Sequence, residues 1–494
     1  MKTTILAGLV ACWGAACLGA APAKGLPRSS PEEQGVSSSA ILAFVEAADR
    51  DIDALHSVIV VRHGHVVAEG WWTPYDAESR HELYSLSKSF TSTAVGLAVA
   101  EGKLSVDDEI LKFFPDEAPS EPSKNLKSMR VSDLLRMSTG QQTEPGRTGS
   151  NWAKSFLAQP VPFKPGTHFL YHTSATYMLS ATVQKVTGLT VLDYLKPRLF
   201  EPLGIEDPTW GISPEGVSLG GYGLSVRTED IAKFGQLYLQ KGKWDGKQLV
   251  PESWVEAATA RQTSNGSNPK SDWDQGYGYQ FWRCRHGAYR GDGAFGQYCI
   301  VLPEQDAVIA ITSGVKDMQA VLDLVWDKLL PGFKTSPLAT DDEARDKLRH
   351  ALTNLKMKTP EGPASNATAE KVSGKKYVFD SNPRKIESIV LTPAGKDNDD
   401  VAIAMKIDGE DRRIRCGKGS WRRGRLALLR PEQPTAAAGA WTGDDTYTAK
   451  VCFVETPFNA TLTLKFDGDT LLLDIGSNVG FGPTRQPQLK GKAE

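Results

Sequence analysis

The hydrophobic pattern changes period near residue 340, and that change limits what the chain can fold into. Before it, helical and strand patterns alternate along the sequence. Ser39 precedes an apolar-periodic helix at 40–48. Residues 57–62 and 65–69 flank His63 and Gly64 as a hairpin, and a helix runs over 85–101 with Gly102 as its stop. A further helix is expected at 176–186, strands at 273–282, 288–291, 296–302 and 307–313, and a closing helix at 318–330. A hairpin near the start and antiparallel strands near the end imply an α/β (α+β) region, with one sheet built from both chain ends and helices covering it. After 340 come a charged helical stretch at 344–357, a linker-like stretch at 358–366, and short alternating strands at 376–379, 388–391, 402–406, 460–464 and 471–474. That is the pattern of a small all-β domain, a sandwich or a barrel. The expected division is 1–23 as a signal segment, 24–340 as the main domain, 341–370 as a helical linker and 371–494 as a β-rich domain. At 494 residues, 40% of them hydrophobic and 23% charged, the chain is long enough for two packed cores.

Charge and cysteine content narrow the setting. Basic residues number 57 and acidic residues 59, which excludes the strong basic excess of a nucleic-acid binder. No run reaches the roughly 18 apolar residues of a membrane-spanning helix. Lys2, the apolar run from Ile5 to Trp13 and the small residues Ala21, Pro22 and Ala23 read as a secretory signal, so a periplasmic or secreted protein starting near Lys24 is expected. The rival reading is lipidation at Cys12, after Leu9, Val10 and Ala11. Cleavage near Ala23 leaves Cys284, Cys299, Cys416 and Cys452, with disulfides plausible but undecided. His63, His65, His81, His168 and His172 show no ligand spacing, and neither a metal nor an organic cofactor is expected.

The chemistry candidate is Ser85 with Lys88. An S-x-x-K pair at the start of a helix puts both side chains on one face. Burial and the positive helix N-terminus favour a neutral Lys88, which can take the Ser85 proton. Such a base is what makes a serine nucleophilic. The chain holds four S-x-x-K matches, so spacing alone decides little, but only Ser85 and Lys88 open a long amphipathic helix, with Phe90, Ala94, Leu97 and Ala98 on one side.

Residues 84–104 resemble the first motif of the serine β-lactamase-related hydrolases, most closely the class C β-lactamase and family VIII esterase branch. Further matches follow in family order: 132–140, 165–171, 221–235 and 293–298. The resemblance spans about residues 30–331 and implies a β-lactamase/transpeptidase-like antiparallel sheet flanked by helices. By position it implies Ser85 as nucleophile, Lys88 as its base and Tyr171 as the phenol that passes a proton to the leaving group. It places oxyanion donors at the backbone N–H groups of Ser85 and Ala294. Thr173, Asp292 and Gly293 are then the expected substrate contacts, and Gln141 either reaches the cleft as a polar contact or holds a turn.

Two departures from the family pattern bear on substrate. Thr173 stands where the family has Asn, and Gly291, Asp292 and Gly293 lack the Lys or His that helps hold a substrate carboxylate. The expectation is an exported esterase or amidase acting on small neutral or cationic substrates, with Asp292 repelling carboxylates and Asp292→Lys attracting them. The alternatives are a D-alanyl carboxypeptidase or β-lactamase and, in another class, a catalytically silent peptide- or ester-binding module. No catalytic match falls after residue 370, so the first region is expected to react alone. The sequence names no partner for the β-rich domain. The aromatic residues Trp71, Trp72, Trp273, Tyr277, Tyr279, Phe281 and Trp282 read as core or as cleft lining.

Overall fold

A computed structural model describes residues 25–146, 149–395, 399–428 and 431–494. The signal segment and Cys12 lie outside the described residues. Helix α1 (Ser38–Asp51) starts two residues earlier than the sequence suggests, because Ser37 rather than Ser39 accepts the capping bond, from the Ala40 N–H. Strands β1 (Leu55–Arg62) and β2 (His65–Trp71) form the expected hairpin. Helix α2 (Ser87–Ala100) follows a single 3-10 turn at Tyr84–Leu86, and helix α3 (Thr173–Thr187) is capped by His172. Helix α4 (Thr228–Leu239) packs across the sheet.

Strands β3 (Trp282–Arg283), β4 (Tyr289–Gly293), β5 (Gln297–Leu302) and β6 (Ala307–Ser313) complete an antiparallel sheet of order β2-β1-β6-β5-β4-β3. All eight residues of β1 are buried, because α2 and α4 cover one face of the sheet and α1 and α5 (Met318–Leu324) the other. The strand expected at 273–282 is instead an irregular loop that becomes a strand only at Trp282. Gly276 and Gln280 have φ of 112° and 67° there, which breaks the ladder. The closing helix loosens into a wide turn at Val325–Leu329. The charged stretch forms α6 (Asp342–Thr353), which packs on α1 and β2 through the buried Leu348. Cys284, Cys299, Cys416 and Cys452 are free and buried.

A short helix, α7 (Ala367–Val372), leads into ten strands. They are β7 (Lys376–Phe379), β8 (Ile386–Ala394), β9 (Asp400–Ile407), β10 (Glu410–Gly417), β11 (Arg422–Leu426), β12 (Gln433–Trp441), β13 (Thr446–Cys452), β14 (Asn459–Asp467), β15 (Thr470–Ser477) and β16 (Leu489–Ala493). Nine of them close into a barrel, and β11 pairs on the outside of β12. An odd ring of otherwise antiparallel strands needs one parallel contact, and the Gly417–Ala438 bridge between β10 and β12 supplies it. The interior is filled by side chains such as Tyr377, Ile389, Ile403, Tyr447, Leu462 and Leu473.

The barrel is docked on the first domain rather than tethered to it. Ala436, Cys452 and Val454 join the apolar cluster beneath the sheet. The Glu82 N–H donates to the Glu455 carbonyl (2.8 Å), Asn478 Nδ2 to the Gly314 carbonyl (2.8 Å), and Arg423 Nη2 to the Pro74 carbonyl (2.7 Å). Gly314 lies so close to the Pro457 carbonyl that a Cβ there would overlap it. The two domains therefore share an apolar interface, and separating the first region from the barrel is expected to cost it stability.

Candidate active site

The 3-10 turn at Tyr84–Leu86 holds Ser85 at the mouth of a buried helix. Tyr84 has φ of 48°, a left-handed conformation that costs a bulky residue roughly 1–2 kcal/mol and turns the chain sharply into α2. The Leu83 N–H donates to the Leu224 carbonyl (2.8 Å) and Ser87 Oγ accepts from the Leu224 N–H (3.1 Å), so the turn is fixed from both sides. Lys88, one turn on, is 1% exposed. Its Nζ lies 3.0 Å from Ser85 Oγ, donates to the Gly221 carbonyl at 2.7 Å, and lies 3.4 Å from Thr173 Oγ1. Gly221 has no side chain, and a Cβ there would press on Thr173 and approach Lys88 Nζ to 3.5 Å.

Tyr171 completes the group. Lys88 Nζ sits 5.0 Å from the centre of its ring. Burial, and next the negative charge of Asp292, push the phenol well above its ordinary pKa, so it stays protonated. Trp282 stacks on the ring at 5.2 Å and Tyr277 meets it edge-on at 6.2 Å. These rings belong to the irregular loop at 273–282, so part of the aromatic set does line the site, whereas Phe281 and Trp72 lie in the core.

Strand β4 runs beside the nucleophile. A Cβ on Gly293 would overlap the Leu83 carbonyl and stand 3.1 Å from the Ser85 nitrogen, and one on Gly291 would overlap Leu86. Only glycine lets the strand come this close to the Ser85 nitrogen. A residue at the start of a helical turn has no intrahelical acceptor for its N–H, which leaves the Ser85 N–H without a helical partner. Phe295, after Ala294, also has positive φ, at 68°.

Two expected substrate contacts are corrected. Gln141 is fully buried, with Nε2 donating to the Phe156 carbonyl (3.0 Å) and Oε1 accepting from Thr139 (3.2 Å), so it holds a turn and does not reach the cleft. Asp292 is not a lone negative charge. It accepts from Arg290 Nε at 2.8 Å, and both partners of the ion pair are buried. Sequence reasoning missed Arg290, since nothing local distinguishes it from a strand-surface arginine. Gly221 was read only as part of a motif, and its carbonyl as the Lys88 anchor needed the fold. Thr173 lies where expected, beside Lys88.

With this geometry in place, comparison with known proteins is decisive. The family pattern described as Beta-lactamase matches residues 48–324, more than half of the chain. The chain belongs to the β-lactamase family. It is a serine hydrolase of that family, with the β-lactamase/transpeptidase-like fold. It is 27% identical over 285 residues to a 6-aminohexanoate-dimer hydrolase of Paenarthrobacter ureafaciens, covering 52% of this chain and 72% of that protein. It is 22% identical to a putative D-alanyl-D-alanine carboxypeptidase of Salmonella agona, covering 37% of this chain and half of that one. Among solved structures, SurE bound to D-Leu aligns with a TM-score of 0.50 and 17% identity over 85% of this chain and 98% of its own. That likeness concerns fold alone, and it extends beyond the family region into the barrel.

Proposed function

We propose that the protein hydrolyses small neutral esters or amides through an acyl-enzyme on Ser85. The carrying observation is the contact of Ser85 Oγ with Lys88 Nζ at 3.0 Å, with the Tyr171 ring packed 5.0 Å from that Nζ. Lys88 takes the Ser85 proton as Oγ bonds to the substrate carbonyl carbon, and the N–H groups of Ser85 and Ala294 receive the oxyanion. Collapse breaks the bond to the leaving group. That group takes a proton from the Tyr171 hydroxyl, which is replenished from Lys88. Water then reverses the sequence, giving its proton to Lys88 and releasing the acid. A phenol held protonated suits a relay, which leaves the role of base to Lys88.

Substrate charge follows from what the site's cations already hold. Lys88 is bonded to Ser85 and Gly221, Arg290 is paired with Asp292, and Gly291 has no room for the side chain of a Lys or His. The reading against carboxylates therefore rests on Lys88 and Arg290 being already engaged, not on repulsion by Asp292. We also propose export, on the pattern of residues 1–23, to be tested by N-terminal sequencing of the mature protein. Intact Met1 would contradict it.

Kinetics on p-nitrophenyl butyrate, nitrocefin and a D-Ala-D-Ala peptide test the substrate reading. The ester is expected to give the highest kcat/KM. A lead by nitrocefin or the peptide overturns the neutral-substrate reading and favours the β-lactamase or carboxypeptidase alternative.

A further inference from the structure

The residues on either side of the reacting groups are held by the barrel. Tyr84 precedes Ser85, Phe295 follows Ala294, and their rings meet edge-on at 5.8 Å. Two barrel-domain rings close over them. Phe458, in the connection from β13 to β14, lies 6.2 Å from Tyr84 and 5.6 Å from Phe295. Phe481, in the connection from β15 to β16, lies 5.7 Å from Tyr84 and 4.9 Å from Phe295. Phe481 is 76% exposed, the most exposed of the large apolar side chains in the described residues. A solvent-facing phenylalanine in contact with the rings beside both a nucleophile and an oxyanion donor is poorly explained by packing alone. An apolar ligand would cover it.

We propose that Tyr84, Phe295, Phe458 and Phe481 form a subsite for an aromatic or branched apolar acyl group of the substrate, supplied half by each domain. This rests on Ser85 being the acylated residue. The acyl side is assigned from the two ring clusters that flank the nucleophile. The rings around Tyr171 (Trp282, Tyr277 and Phe169) lie on the side that gives the leaving group its proton, and they share no member with the Tyr84 set. With the carbonyl oxygen at the Ala294 N–H and the leaving group toward Tyr171, the remaining substituent on the carbonyl carbon points to the rings beside Tyr84 and Phe295. The subsite also accounts for the tight docking of the barrel. Asn478 Nδ2 ties the start of the Phe481 loop to the Gly314 carbonyl and, at 2.9 Å, to that of Pro457, next to Phe458.

The test uses full-length protein and two esters with the same leaving group, p-nitrophenyl acetate and p-nitrophenyl phenylacetate. The readout is the ratio of their kcat/KM values. Phe481→Ala is expected to lower the phenylacetate-to-acetate ratio at least fivefold, and Phe481→Leu to restore most of it. Because Phe481 is exposed, its replacement does not open a core, and a circular dichroism melt within a few degrees of wild type verifies this. A ratio within twofold of wild type overturns the subsite. So does an equal loss on both esters, which would mark Phe481 as a support for the turn. A preference that instead follows the leaving group, read with phenyl and methyl acetates, overturns the assignment to the acyl side. Failure of the Ser85 reading is separately visible, as a wild-type protein that a fluorophosphonate does not label at Ser85.

Discussion

The contact between Ser85 and Lys88 was legible from spacing and helix placement, whereas the state of Asp292 was not. A helix start at residue 85 already puts positions 85 and 88 on one face, and burial of α2 does the rest. If the pair acts as a unit, Ser85→Ala and Lys88→Ala should each lower kcat/KM on p-nitrophenyl butyrate by about 10³-fold or more, and the double variant should be little worse than either. Lys88→Arg should be nearly as damaging as Lys88→Ala, because a guanidinium does not accept a proton near neutral pH. Additive losses in the double variant would contradict this. Asp292 looked like a bare charge because its partner, Arg290, depends on the two side chains emerging on the same face of β4. Its removal should now cost stability first. Asp292→Asn leaves a buried guanidinium unpaired, at about 3–5 kcal/mol, readable by urea denaturation. The same contact makes Asp292→Lys a folding defect rather than a route to carboxylate binding.

At the scale of elements, α2 and the strands of strong β-branched character were readable, and the misread segments share a cause. Strand β10 carries Glu410, Asp411, Arg412, Arg413 and Arg415, and β12 carries four alanines. Neither composition favours a strand outside a barrel whose curvature and close neighbours accept it. The loop at 273–282 was read as a strand because it is aromatic, but two of its rings, Tyr277 and Trp282, face Tyr171 from irregular backbone, and Phe281 goes into the core. The approach of β4 to the nucleophile turn depends on Gly293. Gly293→Ala should push the strand off Leu83, displace the Ala294 donor and lower kcat by about 10²–10³-fold, with a lowered Tm as well. Unchanged kcat would mean that the donor is elsewhere.

At the scale of the molecule, the two domains meet over a buried polar knot. His56 Nδ1 lies 3.1 Å from His81 Nε2, Tyr75 stacks on His56 at 3.7 Å, and His81 faces the barrel at Thr456. Burial holds His81 down at about 4 and lowers His56 as well, with His81 and Lys450 adding to the effect on His56. A histidine whose folded pKa lies below its unfolded value stabilises the fold above about 6.5. As pH falls toward 4, the unfolded chain takes the proton first and that stability is lost, about 3 kcal/mol for His81. Asp230, held up at about 6 by burial, works in the opposite direction. The informative quantity is therefore a difference. Between pH 7.5 and 5, the Tm of wild type should fall more steeply than that of His81→Asn. Parallel slopes would contradict the assignment.

The account's central claim is a covalent bond between the substrate acyl group and Ser85. Acid quenching of the full-length protein during turnover of p-nitrophenyl butyrate, followed by intact mass and peptide mapping, tests it directly. The account predicts one added butyryl group on the peptide containing Ser85, absent from Ser85→Ala and persisting longer in Lys88→Ala if any forms. Acylation at another residue, or an unaltered adduct in Ser85→Ala, would contradict it.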